Sequence, residues 1–324
     1  MTTAITLFSG IGGVDCGLTM AGVDLIGAVE YDPVNLGYSK DCEMMHKVNF
    51  PDSKFYLQFV GEVADKLPPC DLLHASTVCK NFSVGAQFAR GGITETLQDT
   101  QMARDTVTAI KTCNPSFFSL EQVAGYAKTR SLEIITETLK KGGYKITADV
   151  IDVYDYGIPQ NRKRFFLLAS RGKPWGFPPK QRRIGWREAI AGVDGLYKTR
   201  LTASQRKALM DWLGEGNSLD RGILINRVGT NRTIRKHDQP CWTITRSQWS
   251  DKGAVARPGS RIRTQAINVV NSDGVWGLPI RAIGRLGGFP DWFQFGKYGG
   301  QGIGYSVPPR FIKLLVSHNL ENCS

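Results

Sequence analysis

Residues Ala4 to Gly13 read AITLFSGIGG, an apolar run that breaks into a turn holding Gly10, Gly12 and Gly13. The run Ile5–Phe8 has the continuous apolar character of a strand covered on both faces, and a helical stretch, Cys16–Ala21, follows the turn. Glycines at such a turn let the backbone approach a ligand closely, with the helix N–H groups aimed at it. The spacing is not G-x-G-x-x-G, and no G-K-S phosphate loop follows. Outward from this turn the pattern repeats. Leu25–Glu30, Asp71–Ala75, Phe117–Leu120 and Phe165–Ala169 read as strands, and Asn35–Phe50, Asp99–Cys113 and Ser131–Lys140 as helices. The alternation predicts a doubly wound α/β domain. Strands that end in polar residues, Glu30 and Glu121 among them, should present these at the carboxyl edge, where such folds bind ligands.

The chain has 324 residues, 41% of them hydrophobic, which is enough for one large domain or a large and a small one. Its net charge of +12 and pI near 9.4 make nucleic acid the leading partner, against the plainer reading of a generally basic surface. Cysteines stand at 16, 42, 70, 79, 113, 241 and 323, with no C-x-x-C pair, so no zinc cluster or other metal site is expected. Their odd number and the absence of a secretory signal fit a reducing cytoplasm. No apolar run approaches the roughly twenty residues that span a bilayer, so no membrane association is expected.

From about Gly172 to Thr264 the character changes. Prolines and glycines interrupt the pattern, and tryptophans stand at 175, 186, 212, 242 and 249. Arg182, Arg183, Arg187, Arg221, Arg227, Arg232, Arg235, Lys236, Arg246, Lys252, Arg257, Arg261 and Arg263 concentrate positive charge in the same stretch. The division expected is 1–171, a smaller loop-rich domain over 172–264, and a return to the first domain over 265–324. Aromatic residues among basic ones suit a nucleic-acid surface, but tryptophans can equally form the core of a loop-rich domain.

Three further pieces carry chemistry. Cys79 sits in LHASTVCKNFS, Leu73 to Ser83, just past a strand and beside Lys80, a setting that biases a thiol toward thiolate. The commoner fate of a cysteine is a small buried hydrophobe. Glu121 follows the apolar run FFSL and could be a catalytic carboxylate, a helix cap or a salt-bridge partner. Arg162 and Arg164, in QNRKR, alternate at a strand start, so both could face one way and hold a phosphate. Their plainer reading is a solvated edge strand.

Taken in order, these pieces resemble the cytosine-5 DNA methyltransferase family over nearly the whole chain. Phe8-Ser9-Gly10-Ile11-Gly12-Gly13 is similar to its S-adenosylmethionine loop, and Glu30-Tyr31-Asp32 to its ribose-binding acid region. Val78-Cys79-Lys80-Asn81-Phe82-Ser83 resembles its nucleophile loop, Glu121-Gln122-Val123 its Glu-Asn-Val, and Gln160 to Arg164 its Gln-x-Arg-x-Arg. Arg285 to Asp291 and Gln301 to Pro308 resemble its last two motifs. The resemblance implies a Rossmann-like methyltransferase domain with a smaller target-recognition domain. It implies Cys79, Glu121, Arg162 and Arg164 in catalysis. Phe8 to Gly13, Glu30, Tyr31, Glu62, Lys80, Tyr305 and Ser306 would surround the cofactor. The expected partner is double-stranded DNA with a specific cytosine-containing site, and the expected enzyme is a monomer of bacterial or phage restriction-modification type.

The implied chemistry is thiolate attack on C6 of a flipped cytosine, with Glu121 at N3. The sequence departs from the family at three places. Val78-Cys79-Lys80 stands for Pro-Cys-Gln, Glu121-Gln122-Val123 for Glu-Asn-Val, and Gly304-Tyr305 for Gly-Asn. A cation beside the reacting carbon repels a methyl sulfonium but attracts a carboxylate. Carboxy-S-adenosylmethionine, giving 5-carboxymethylcytosine, is therefore an alternative donor to S-adenosylmethionine. A catalytically silent DNA-binding relative and a tRNA cytosine methyltransferase are the further alternatives; the intact Cys79, Glu121, Arg162 and Arg164 weigh against the first, and the basic middle region against the second.

Overall fold

The computed structural model describes residues 1–78, 81–82, 91–226, 234–245 and 267–323. Cys79, Lys80, Ser83, Arg227, Arg232, Arg246, Trp249, Lys252, Arg257, Arg261 and Arg263 lie outside the described residues. The chain divides into two compact units. The first comprises Met1–Val153, Lys163–Lys180 and Val307–Ser324, and the second Tyr154–Arg162 and Gln181–Ser306.

The first unit begins β1 (Thr3–Leu7), α1 (Gly13–Met20), β2 (Asp24–Val29), α2 (Leu36–Asn49), β3 (Lys54–Tyr56), α3 (Val60–Val63) and β4 (Leu72–Ala75). It continues through α4 (Leu97–Cys113), β5 (Phe117–Gln122), α5 (Arg130–Lys141), β6 (Lys145–Asp152) and β7 (Lys163–Ser170). Its sheet has the order β3-β2-β1-β4-β5-β7-β6. Strands β1 to β5 run parallel, and β7 is antiparallel to both β5 and β6. This is the Rossmann-like α/β architecture expected from the strand–helix alternation.

Side-chain alternation sorts the helices onto two faces. Ile5 and Leu7, Phe118 and Leu120, and Leu167 and Ala169 pack in one core with Val60, Val63, Ala103, Ile110, Ile135 and Leu139 of α3, α4 and α5. On the opposite face, the Thr6 hydroxyl donates to Asp15 of α1 at 2.6 Å. Phe166 lies there against Phe311, ring centroids 5.0 Å apart, in the C-terminal helix described below. Helix α4 starts at a capping box, in which Thr96 accepts from Asp99 N and Asp99 accepts from Thr96 N.

In the second unit, α6 (Trp186–Ala189), β8 (Tyr197–Lys198), α7 (Ala203–Gly214), β9 (Ile223–Asn226), β10 (Ile234–Lys236), β11 (Ile267–Asn271) and β12 (Gly274–Gly277) come first. Helices α8 (Ile280–Leu286) and α9 (Gly299–Tyr305) follow. The five strands form an antiparallel sheet of order β10-β9-β11-β12-β8. Leu201, Ile223, Ile225 and Val270 make its core, with Leu209 and Trp212 of α7 packed against them. Because β11 pairs with β9, and β12 with β8, residues 267–277 belong to this sheet. The first unit resumes with α10 (Pro309–Cys323), which packs against α1. A Cβ on Gly17 of α1 would lie 2.5 Å from Ile312 Cβ, so the glycine sets that approach. Among the described residues no helix is long and apolar enough to cross a membrane.

Candidate active site

The glycine turn leaves β1 through two left-handed residues, Phe8 at φ 58° and Gly10 at φ 56°. Gly12, at φ 88°, is the residue that precedes α1. A Cβ there would lie 2.8 Å from the Phe50 ring, so the turn can be built only with glycine. Ser9 N donates to Val29 O at 3.1 Å, tying the turn to the end of β2. Gly10 N donates to Glu30 Oε2 at 2.9 Å, which brings the expected ribose acid against the expected cofactor loop. Burial pushes the Glu30 carboxyl up to about 7, opposed by the Gly10 hydrogen bond and reinforced by Asp32 and Asp15. Ile11 is buried, and the Ser9 hydroxyl is a buried polar atom with no hydrogen-bond partner among the described residues.

Beyond Glu30, Tyr31 meets Phe59 edge to face at 4.7 Å, and Asp32 Oδ1 accepts from Val34 N and Asn35 N. Glu62 lies on α3, exposed, and accepts from Phe59 N at 3.3 Å. These residues gather at the carboxyl edge of β1 and β2, the place predicted for a nucleotide-type ligand.

The stretch around Cys79 is anchored on both sides. Upstream, Thr77 is buried and Gln122 Nε2 donates to its carbonyl at 2.7 Å, while Val78 is exposed. Downstream, Asn81 Nδ2 donates to Asp99 Oδ2 at 2.8 Å, and the buried Phe82 packs edge to face on Tyr126 at 5.2 Å. Gln122 entered the sequence reading only as a departure from Glu-Asn-Val, and the contacts of Asp99 and Tyr126 with this stretch were not anticipated.

Glu121 is the penultimate residue of β5, where it is buried, and Arg164 Nε lies 2.9 Å from its Oε1. Arg164 is on the neighbouring β7. A polar row runs beneath. Ser119 Oγ lies 2.8 Å from His74 Nδ1, His74 Nε2 lies 2.8 Å from Ser76 Oγ, and Ser76 Oγ donates to Glu121 Oε2 at 3.5 Å. Burial lowers the His74 imidazole to about 3, so it is neutral.

Arg162 belongs to the second unit. It precedes β7, so the alternation expected to align it with Arg164 holds only from Lys163 onward. Its buried guanidinium donates to Ile244 O at 3.2 Å and Gly304 O at 3.1 Å. Gln160 also holds the Ile244 segment but ties it to α8, donating to Leu286 O and accepting from Ile244 N. Tyr305 ends α9 with 42% of its surface exposed, and Ser306 Oγ donates to Gly302 O at 2.9 Å.

Several of the expected nucleic-acid residues are engaged inside their own units. Arg182 pairs with Glu188, and Arg183 with Asp155 at 2.6 Å. Trp186 is buried and donates to Lys236 O at 2.8 Å, whereas Trp242 lies under the Arg235 guanidinium, 5.4 Å away. Trp175 belongs to the first unit, stacked 4.5 Å from Phe117.

Comparison with known proteins agrees with this architecture. A family model described as C-5 cytosine-specific DNA methylase matches residues 2–319. Type II methyltransferase M.XorII of Xanthomonas oryzae pv. oryzae is 26% identical over 94% of this chain and 81% of its own length. Type II methyltransferase M.FnuDI of Fusobacterium nucleatum is 24% identical over 90% of this chain and 85% of its own. Among solved structures, EhMeth of Entamoeba histolytica matches at a TM-score of 0.66 and 14% identity, over 100% of this chain and 99% of that one. The S. pombe Dnmt2 methyltransferase matches at 0.63 and 16%, with the same coverage. These two share the fold.

Proposed function

The chain belongs to the C-5 cytosine-specific DNA methylase family, and from that premise we propose that it transfers a methyl group to C5 of a cytosine in double-stranded DNA through a covalent cysteine adduct. The observation that carries the reading is Glu121, buried near the end of its strand and paired with Arg164, while its neighbour Gln122 ties down Thr77, two residues before Cys79. A buried carboxylate costs desolvation, and a role toward a bound base is a reason to keep one there.

The residues present fit S-adenosylmethionine. The left-handed glycine turn leaves room for a close ligand, and its buried Ser9 hydroxyl is unsatisfied among the described residues. Glu30 would hold the ribose hydroxyls, with Phe8, Ser9, Gly10, Ile11, Gly12 and Gly13 around the amino-acid end. Tyr31 and the region of Glu62 would border the base. The bound cofactor supplies an electrophilic methyl carbon on its sulfonium. The protein's own residues make C5 able to take it. The Cys79 thiolate adds to C6, which raises electron density at C5. Glu121 hydrogen-bonds N3 and the amino group, favouring that redistribution. Arg164 fixes the Glu121 carboxylate. Arg162, through Ile244 O and Gly304 O, holds the segments that carry them. Loss of the C5 proton then lets Cys79 leave. The cytosine must be flipped from the duplex for any of this to happen.

Lys80 and Tyr305 support a second donor. A cation and a phenol in place of two amides favour a carboxylate on the transferred carbon. Duplex DNA incubated separately with each donor, followed by nucleoside mass spectrometry, tests both readings. The expected product is 5-methylcytosine or 5-carboxymethylcytosine, lost in Cys79→Ala while DNA binding survives. Turnover by Cys79→Ala overturns the covalent route, and 5-methylcytosine alone overturns the second donor.

A further inference from the structure

A histidine in the centre of a sheet calls for a reason. His74 lies on β4 between β1 and β5, flanked in sequence by Leu72, Leu73 and Ala75, and is 2% exposed. An apolar side chain would fill the position with no polar atom to satisfy. The parallel register supplies an answer. His74 faces Ser119 across the β4–β5 pair. Two residues on, on the same faces, come Ser76 and Glu121. His74–Ser119 and Ser76–Glu121 thus make two rungs of one polar row that ends on the candidate catalytic carboxylate.

The proton positions in this row follow from its chemistry. A neutral imidazole has one N–H and one bare nitrogen. With the Ser76 hydroxyl hydrogen directed to Glu121 at 3.5 Å, the Ser76 oxygen accepts from His74 Nε2–H at 2.8 Å. His74 Nδ1 is then bare and accepts from the Ser119 hydroxyl. Every hydrogen bond points toward Glu121, and the imidazole is held in one tautomer from both ends.

We propose that Ser76, oriented by His74 and Ser119, is a positioning residue that fixes the Glu121 carboxylate from the side opposite Arg164. Arg164 approaches Oε1 from β7, and Ser76 holds Oε2 from the end of β4. Two donors from different strands set both the rotation and the tilt of the carboxylate, which a single ion pair leaves free. The Glu121 carboxylate at the end of the row can only accept, and this gives the row its direction. This inference rests on the assignment of Glu121 made above and adds the elements that orient it.

The experiment measures the single-turnover rate of base modification at saturating enzyme, the affinities for duplex DNA and S-adenosylmethionine, and the melting temperature. Ser76→Ala is expected to slow the chemical step of the folded enzyme about tenfold with both affinities unchanged, as for loss of one orienting hydrogen bond, and to lower the melting temperature because the His74 N–H loses its acceptor. Ser76→Thr, which keeps the hydroxyl, is expected within about twofold of the parent. In a Glu121→Gln background, Ser76→Ala is expected to have no further effect. If Ser76→Ala does not fold, Ser119→Ala carries the same expectations at the far end of the row. A parental rate in Ser76→Ala, or an equal loss with and without Glu121, overturns the proposal. A parental rate in Glu121→Gln instead overturns the assignment of Glu121, whatever Ser76 does.

Discussion

A carboxyl group that ionises only near pH 7 is costly to a folded protein at neutral pH. Glu30 is such a group, pushed up by burial from the ordinary value of 4.5. The folded state holds this proton more tightly than the unfolded chain, so stability falls as pH rises from about 4.5 to about 7 and is level above. Glu30→Gln should therefore be more stable than the parent at pH 8, by about 1–2 kcal/mol after screening, with the difference vanishing below pH 4.5. The same variant should bind S-adenosylmethionine more weakly, because a ribose diol prefers a carboxylate. Thermal melting across that pH range, beside calorimetric titration, reads both effects, and equal melting at every pH would refute the first. Gln122 offers a second case. Its amide donates to Thr77 O and accepts from Val123 N, so Gln122→Ala strands two backbone groups. The expected loss is about 1–3 kcal/mol by urea denaturation, with faster amide exchange at Val123. Unchanged exchange at Val123 would show that the amide is not its anchor.

Helices α1 and α10 approach so closely that the contact tolerates no side chain at Gly17. An added Cβ would meet Ile312 at 2.5 Å and the Pro309 carbonyl at 2.6 Å. Gly17→Ala should cost about 1–3 kcal/mol through overpacking. Gly214→Ala, whose Cβ would meet nothing within 4 Å, should be neutral or slightly stabilising. Equal denaturation midpoints for the two variants would refute the packing argument. Legibility at this scale followed burial. Strands β1, β2, β4, β5 and β7 were readable because their apolar runs are continuous and bounded by turn residues. β6, KITADVID, escaped notice because it lies at the sheet edge with most of its residues partly or fully exposed, so no apolar run marks it. The strands of the second sheet are two to five residues long among prolines and glycines, and read as loops. Of the candidate site, the glycine turn and Glu30 were found as a pair, because a motif and the end of the next strand point to one edge. His74 and Ser119 were invisible, since only the strand register reveals that residues 45 apart are neighbours. Arg162 read as solvent-facing or phosphate-binding because sequence does not disclose that two carbonyls wait for it.

The net charge of +12 should govern how the protein meets DNA. In the second unit, Lys198, Arg200 and Arg206 surround Trp276. Single replacement of these residues by alanine should each lower the salt slope of duplex binding by about one, measured by fluorescence anisotropy between low and physiological salt. A slope unchanged in all three variants would place the phosphate contacts elsewhere. The division of the chain bears on synthesis as well. The polypeptide leaves the first unit at Val153 and returns for good only at Val307. On the ribosome, α1 and the loop that Glu30 clasps emerge early, yet the helix that covers α1 is translated only after the entire second unit. Until then the face of α1 that this helix packs against has no cover from it, so a chain cut short of Val307 lacks that contact.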